Sequence, residues 1–410
     1  MLARAKKILE MPVCNHCLGR QFSQLLSGHT NAERGSVIRH AVAMAVDAKS
    51  VDYSGVDFSN FTSFKFRHNK DLKDLVFKER LPCAVCNGLF ESGLDKLAGR
   101  VAKAVRVYEL TTFLVGTRIS NDLLEREEKL WEKVGIEYCE PLRAEVNREV
   151  GKLVEKLIGR KAELKAPDIA VLIDFEKNKV EARANPIYIY GRYQKLVRGI
   201  PQCRWGTPGK YKTSVEQVVG KPILAAAAGL DHRFHGAGRE DIDALCFAWR
   251  PFVLEILEPR KRTLDLKKII KIIARSGKVK VKDLKMVPSS RVAEIKALRS
   301  DKTYRVLVNL AKPIRRSDLA KLKKLKGNIA QKTPERVLHR RADLDRTRKV
   351  LSIRATWKTP KKLVLEIKGT AGIYIKELVS GDNGRTKPNV SDILGVPAKV
   401  KELDVIKIGK

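Results

Sequence analysis

His235-Gly236-Ala237-Gly238-Arg239-Glu240-Asp241-Ile242-Asp243-Ala244 is the stretch on which the reading of the fold turns. Its glycines supply the backbone freedom of a tight turn beside a cluster of charge. A carboxylate next to an arginine stays ionised at neutral pH, because the cation favours its charged form. That prepares Asp241 or Asp243 as a nucleophile or a base. On its own, the segment reads more simply as a solvated acidic turn.

A second segment shifts the balance. Tyr374-Ile375-Lys376-Glu377-Leu378-Val379 follows a glycine-bearing turn. Taken as extended chain, it puts Tyr374, Lys376 and Leu378 on one face. A lysine between an aromatic and an aliphatic is a poor core pattern, but a good partner for a buried carboxylate. Around these segments the apolar runs Phe252 to Ile256, Val279 to Val281, Tyr304 to Val308 and Leu363 to Ile367 read as strands. Thr213 to Glu216 reads as a capping box, and Pro222 as the start of a short helix that Gly229 ends. So many strands on long connections imply a large, mainly antiparallel sheet with helices on one side.

Upstream, a different pattern holds. Thr111 to Gly116, Ile169 to Asp174, Val180 to Arg183 and Pro186 to Tyr190 read as strands. Leu142 to Leu157 carries apolar residues at helical spacing. Strands and helices mix without a regular alternation, which predicts an α+β domain over residues 101–200. Residues 1–100 are mostly helical: Thr30-Asn31-Ala32-Glu33 forms a capping box. Behind it, Val37, Ile38, Ala41, Val42 and Val46 recur at helical spacing, and Leu94 to Val105 predicts another helix. Residues 201–410 form the last domain.

Two Cys-x-x-Cys pairs lie in the first region, Cys14 with Cys17 and Cys83 with Cys86. Thiolates at that spacing can turn to one metal ion, and two such knuckles complete a tetrahedral Cys₄ zinc site. Asn87-Gly88 gives the second knuckle its turn. The long intervening loop makes this a structural staple between distant segments.

The chain has 83 Lys and Arg against 47 Asp and Glu, a net charge of +36 over 410 residues. That excess implies a polyanionic partner. No stretch approaches the ~18 apolar residues of a membrane span, which argues against a membrane partner. The N-terminal stretch lacks the apolar core of a secretory signal. Zinc-type cysteines without a disulfide framework suit a reducing cytoplasm. With 43% apolar residues the chain is an ordinary packed protein rather than a disordered basic tail.

Gly238-Arg239-Glu240-Asp241, Lys302-Thr303-Tyr304-Arg305 and Tyr374-Ile375-Lys376-Glu377-Leu378 together resemble the pseudouridine synthases. That pattern has a Gly-Arg-x-Asp-type segment, a tyrosine on a later strand, and a Tyr-Ile-(Arg/Lys)-x-Leu segment. The chain more closely resembles the archaeal and eukaryotic tRNA pseudouridine synthase group known by the number ten. The likeness lies in Cys14 to Phe22, Tyr190 to Pro201, His235 to Ala244 and Gly381 to Pro388, and it runs over nearly the whole chain. It departs at Leu245-Cys246-Phe247-Ala248-Trp249, where that group has an arginine and a glycine-containing stretch before Arg-Pro-Phe. It departs again at Ile373, where the group has a threonine.

The resemblance implies an N-terminal zinc region, a THUMP-like RNA-binding domain and a pseudouridine synthase catalytic domain, in an α+β chain. It implies that Asp241 attacks the flipped uridine, with Lys376 as its ionic partner. Asp243 is its rival, which only the Arg-x-Asp register sets aside. Tyr304 would stack on the base and is a candidate for the late proton removal. Arg239 is a candidate to hold the flipped nucleotide, and Tyr374 and Leu378 would wall the pocket. The implied partner is tRNA, modified at positions 54 and 55, with no organic cofactor and no required protein partner. Basic runs at Tyr190 to Lys195, Arg260 to Arg262, Lys267 to Lys271, Lys278 to Lys285, Arg315-Arg316 and Lys321 to Lys326 are candidate phosphate contacts. The competing readings are a catalytically dead tRNA-binding or RNA-assembly protein, and another THUMP-bearing modification enzyme such as a methyltransferase. The latter needs a methyl-donor or ATP loop, and the sequence offers none.

Overall fold

A computed structural model of the chain describes residues 1–72, 79–204 and 210–409. It divides into two compact units, Met1–Asn185 and Pro186–Lys410. Among the described residues, no helix is long and apolar enough to cross a membrane.

In the first unit, helices Leu2–Ile8, Asn15–Arg20, Asn31–Asp47 and Leu94–Val105 precede a sheet of β1 (Thr112–Arg118), β2 (Lys161–Ala162), β3 (Ile169–Asp174) and β4 (Lys179–Ala184). The strand order is β2-β1-β3-β4. β1 runs parallel to both its neighbours, and β4 is antiparallel to β3. Helices Asn121–Val134 and Leu142–Ile158 supply the crossover between the parallel strands. Phe113 and Val115 of β1, Val146 and Val150 of the crossover, and Val42, Val46 and Val101 of the earlier helices share one core.

The first Cys pair is welded to the long helix by two glycines. A Cβ on Gly19 would stand 1.9 Å from the Asn31 carbonyl oxygen, and one on Gly35 would stand 1.9 Å from that of Asn15. Only glycine permits that backbone contact. The long helix therefore buries Gly35, Ile38, Val42 and Val46, while Val37, expected inside, is 69% exposed. Its predicted capping box at Thr30 and Glu33 is present.

The second unit is built on β5 (Ile187–Lys195), β6 (Asp231–Gly236), β7 (Leu245–Leu257), β8 (Val279–Val287), β9 (Lys302–Leu310), β10 (Gly327–Lys332), β11 (Asp345–Thr359), β12 (Lys362–Gly369), β13 (Thr386–Lys387) and β14 (Ala398–Ile408). The order is β13-β10-β11-β12-β9-β14-β7-β5-β8, with β6 also on β7. All pairings are antiparallel except β14 with β7. The Pro186 to Tyr190 strand, read from sequence as the end of the preceding domain, instead pairs with β7 and β8.

Two local readings are corrected. The helix over Pro222 runs Val215–Ala227 and is capped by Ser214, which accepts from the Gln217 amide. Pro222 lies inside it, removing one helical donor rather than starting the helix. Tyr374 to Val379 is not extended: Ile375–Ser380 is a short helix ended by Gly381 at φ +88°. Ile375, Leu378 and Val379 recur at helical spacing and are buried together, and this outweighs the alternation seen in the sequence.

Candidate active site and metal centre

β7 organises the candidate site. Its residues Phe252–Leu257 pair with β6, while Leu245 and Cys246 pair with β14, and β5 occupies the opposite edge. β6 and β14 thus share one edge of β7 and diverge along it. The turn of residues 237–244 fills the gap.

Buried groups hold that turn from behind. Arg250 and Glu240 are enclosed and pair at 2.9 Å through Nε and Oε2. Arg250 also donates to the Ala237 carbonyl at 3.0 Å. Glu240 accepts from the Tyr193 hydroxyl at 2.8 and 2.9 Å. The Gln202 amide donates to that hydroxyl at 2.8 Å and to the Gly238 carbonyl at 2.9 Å. Lys195, fully buried, donates to the carbonyls of Asp241 at 3.1 Å and Ile242 at 2.8 Å. Burial lowers its pKa, though the nearby carboxylates oppose this. Burial pushes the Tyr193 hydroxyl well up, and the Glu240 charge adds to the shift.

This corrects one sequence reading. The run Tyr190 to Lys195 was expected at the RNA surface, yet Tyr193 and Lys195 are buried and support the turn. Arg192 remains exposed.

In front of the turn lies a cleft of about 680 Å³. Asp241 Oδ2 lies 3.3 Å from Lys376 Nζ and 3.5 Å from Arg336 Nη2. Lys376 binds Asp243 more closely, at 2.8 and 2.9 Å, so the lysine expected to serve Asp241 is shared by both carboxylates. The Asp243 side chain is 65% exposed and that of Asp241 35%. Burial raises the Asp243 pKa, but the Lys376 hydrogen bond and charge outweigh it and hold the carboxyl below its ordinary value. Arg336 is itself anchored by Glu377 at 2.7 Å.

Tyr304, on β9, lines the same cleft. Burial pushes its hydroxyl up to about 12; the Arg250 cation opposes this and the Asp241 charge reinforces it. Tyr374 lines the cleft, and its hydroxyl accepts from Arg341 at 2.9 Å. Arg239 is exposed at the rim. Leu378 is not on the wall, for the helical turn sends it fully buried into the core with Ile375 and Val379.

Sequence reading missed Arg336, Arg250, Glu240 and Glu377. Glu240 stood in the quoted segment and Arg250 in the Arg-Pro-Phe stretch. Arg336 carried no local signal, because a separate 3₁₀ turn, Glu335–Arg340, brings it to the carboxylates.

In the first unit, the sulfurs of Cys14, Cys17, Cys83 and Cys86 all lie within 4.8 Å of one another and are buried. Zn–S bonds of ~2.3 Å in a tetrahedron put sulfurs ~3.8 Å apart, and Cys14 and Cys86 Sγ are separated by 3.6 Å. The donor set fits a closed zinc site. Cys14 caps the Asn15–Arg20 helix, accepting from the Cys17 amide at 3.4 Å. Gly88 at φ +78° completes the second knuckle. Arg20 donates to Cys17 Sγ at 3.6 Å and pairs with the buried Glu145 and Glu127, both at 3.3 Å.

Family models for the archaeal Pus10 THUMP domain and the Pus10 C-terminal region match residues 97–174 and 188–409. The chain is 39% identical to the tRNA pseudouridine synthase Pus10 of Methanothrix thermoacetophila, over 100% of this chain and 94% of that one. It is 40% identical to that of Methanothermobacter marburgensis, over 98% and 96%. It is 37% identical to that of Pyrococcus furiosus, over 100% and 98%. Among solved structures, a Cbf5-Nop10-Gar1 complex matches at 18% identity and a TM-score of 0.31, over 52% of this chain and 47% of that one.

Proposed function

The chain belongs to the Pus10 family and is a tRNA pseudouridine synthase, and from that premise we propose that Asp241 is its nucleophile. The observation that carries the assignment is the convergence of Lys376 and Arg336 on Asp241 Oδ2, in the cleft that Tyr304 lines. A carboxylate is costly to enclose unless it is paired, and two cations pair this one. The target uridine leaves its stack to enter the cleft. Asp241 then attacks it, at the sugar or at the base ring. The glycosidic C–N bond breaks, the base turns, and a C–C bond forms from its C5. Loss of the C5 proton, gain of a proton at the freed N1 and release of Asp241 give the isomer, with no atom gained or lost overall. Tyr304 stacks on the base and is the candidate for late proton removal, Tyr374 bounds the pocket, and Arg239 holds the nucleotide from the rim.

We assign Asp241 rather than Asp243 because it is the more enclosed of the two and stands in the Arg-x-Asp register. Residues 97–174 are read as the THUMP domain that grips the tRNA, with modification at positions 54 and 55. One structural zinc is assigned to Cys14, Cys17, Cys83 and Cys86. It closes its site with four sulfurs and takes no part in the reaction. A tRNA substrate and reduced thiolates suit a cytoplasmic enzyme.

The test is incubation with unmodified tRNA transcripts and mapping of pseudouridine by position. Product at 54 or 55 that disappears in Asp241→Asn supports the assignment; product that persists in that variant removes it.

A further inference from the structure

Burial alternates along β7 from Leu245 to Phe252, and the two faces of the strand have different fates. Cys246, Ala248, Arg250 and Phe252 turn inward and are buried. The opposite face is covered at one end, where helix Ser290–Ala297 packs Ile295 on Tyr190 and Val253. Beyond that helix the same face carries Phe247, 41% exposed, and the half-buried Trp249. This is the stretch Leu245 to Trp249 that the sequence set apart.

Cations border those rings. Lys282 Nζ of β8 stands 4.6 Å from the centre of Trp249. β5 and β8 run alongside and place Arg192 opposite Lys282 and Gln194 opposite Lys280. Lys285 and Arg291 flank the Tyr190 ring at 5.6 and 5.1 Å. Arg192, Lys280 and Lys285 are exposed. Two acids are set among them: Asp283, 3.7 Å from Arg192, and Glu294, which pairs with Arg291.

We propose that this open face of β7, β5 and β8 is a second RNA-contact surface, on which unpaired nucleotides stack on Trp249 and Phe247 with phosphates held by Lys280, Lys282, Lys285 and Arg192. Flat rings beside a row of cations match the two faces of a nucleotide: a π-surface and a negative backbone. The two rings are roughly 6.6 Å apart along the strand, a step that successive unstacked nucleotides can follow. A protein partner fits less well, because lysine is depleted from such interfaces. The inference rests on the reading of the chain as a tRNA-modifying enzyme, but its test does not depend on catalysis.

The probe is a labelled six-nucleotide oligouridylate titrated into the full-length protein at fixed salt, followed by anisotropy and tryptophan fluorescence. The expected result is saturable binding with quenching. Trp249→Ala and Phe247→Ala each lower affinity on the order of tenfold, while Trp249→Phe restores most of it. Lys280→Gln with Lys282→Gln flattens the salt dependence by roughly one to two counterions. Pseudouridine formation in an isolated TΨC stem-loop stays at the wild-type rate in the three ring variants, which shows that they fold, and circular dichroism reports the fold of the lysine double variant. Unchanged oligonucleotide affinity in both ring-to-alanine variants overturns the proposal. So does a wild-type chain that self-associates through this face, seen as loss of a dimer in Trp249→Ala by sedimentation. If the wild-type protein makes no pseudouridine, the functional reading fails while the titration still judges the surface, with circular dichroism then reporting the fold of the variants.

Discussion

Lys195 Nζ lies 2.8 Å from the carbonyl oxygen of Ile242, with its side chain wholly enclosed. The same nitrogen holds the Asp241 carbonyl at 3.1 Å. A buried ammonium therefore fixes the backbone from which the proposed nucleophile projects. Lys195→Met keeps the length and removes both donors. Displacement of a reacting group by about 1 Å can cost on the order of a hundredfold in rate. The expected outcome is a fall of roughly ten- to a hundredfold in kcat, with tRNA affinity changed by less than about threefold. Single-turnover kinetics beside a filter-binding titration separates the two. A variant that loses affinity and keeps its rate contradicts the positioning role.

Glu240 and Arg250 test the same support by stability. Each is buried, so Glu240→Gln leaves a guanidinium short of its counter-charge and loosens Tyr193. Breaking a buried pair from one side costs about 3–5 kcal/mol. Denaturant unfolding of Glu240→Gln should show a loss on that order. The joint replacement Glu240→Leu with Arg250→Met should cost less than the single change, because no lone charge is left behind. Equal losses would mean that packing, not charge, holds the turn.

The metal reading is tested by Cys83→Ser. Metal analysis of the purified wild type should find one zinc per chain, and the variant should find none. Through Arg20, Glu145 and Glu127 the first knuckle is tied to both helices of the β1–β3 crossover. Hydrogen exchange in the variant should therefore rise across Met1–Asn185, including Leu142–Ile158, while β7 and β9 in the other unit keep wild-type protection. Loss of protection confined to the two knuckles would show that the site staples only its own loops.

Much of this arrangement was legible in the chain, where local chemistry and final position coincide. The thiol pairs carry their spacing with them, and β3 is the apolar run Ile169 to Asp174 without change. Thr30 caps its helix because Glu33 sits three residues on. The failures have a common cause in tertiary context. Tyr193 and Lys195 look like an exposed aromatic–cation run until the turn of residues 237–244 meets them with Glu240 and two carbonyls. Tyr374 to Val379 alternates well enough for a strand, but Gly381 ends a helical turn there and Leu378 goes inward. Arg336 reaches Asp241 across 95 residues of sequence, and no local pattern signals that pairing.

The choice between Asp241 and Asp243 is the sharpest test of the site. Lys376 touches both carboxylates, so its contacts alone leave two candidates 2 residues apart. Asp241→Asn keeps the size and removes the charge, and should lower pseudouridine formation on the order of a thousandfold or more with tRNA binding intact. Asp243→Asn should keep substantial activity, since its carboxylate is the more exposed. Lys376→Met should depress the rate and also change how stability depends on pH. The Asp243 carboxyl is held below its ordinary value by Lys376, so its charge is present at neutral pH and lost only as pH falls through that lowered pKa. Without the lysine that loss begins at higher pH, so the stability that the pair adds at neutral pH, and loses as pH falls, should be absent from Lys376→Met in denaturant unfolding followed against pH. Tyr304 adds the alkaline control. With its hydroxyl pushed up to about 12, no alkaline limb below that value should belong to it, and Tyr304→Phe should lower the rate without altering the profile between neutrality and pH ~10. If Asp243→Asn abolishes turnover while Asp241→Asn does not, the nucleophile is the exposed carboxylate that Lys376 binds more tightly, and the role of Arg336 passes from pairing the nucleophile to orienting its neighbour.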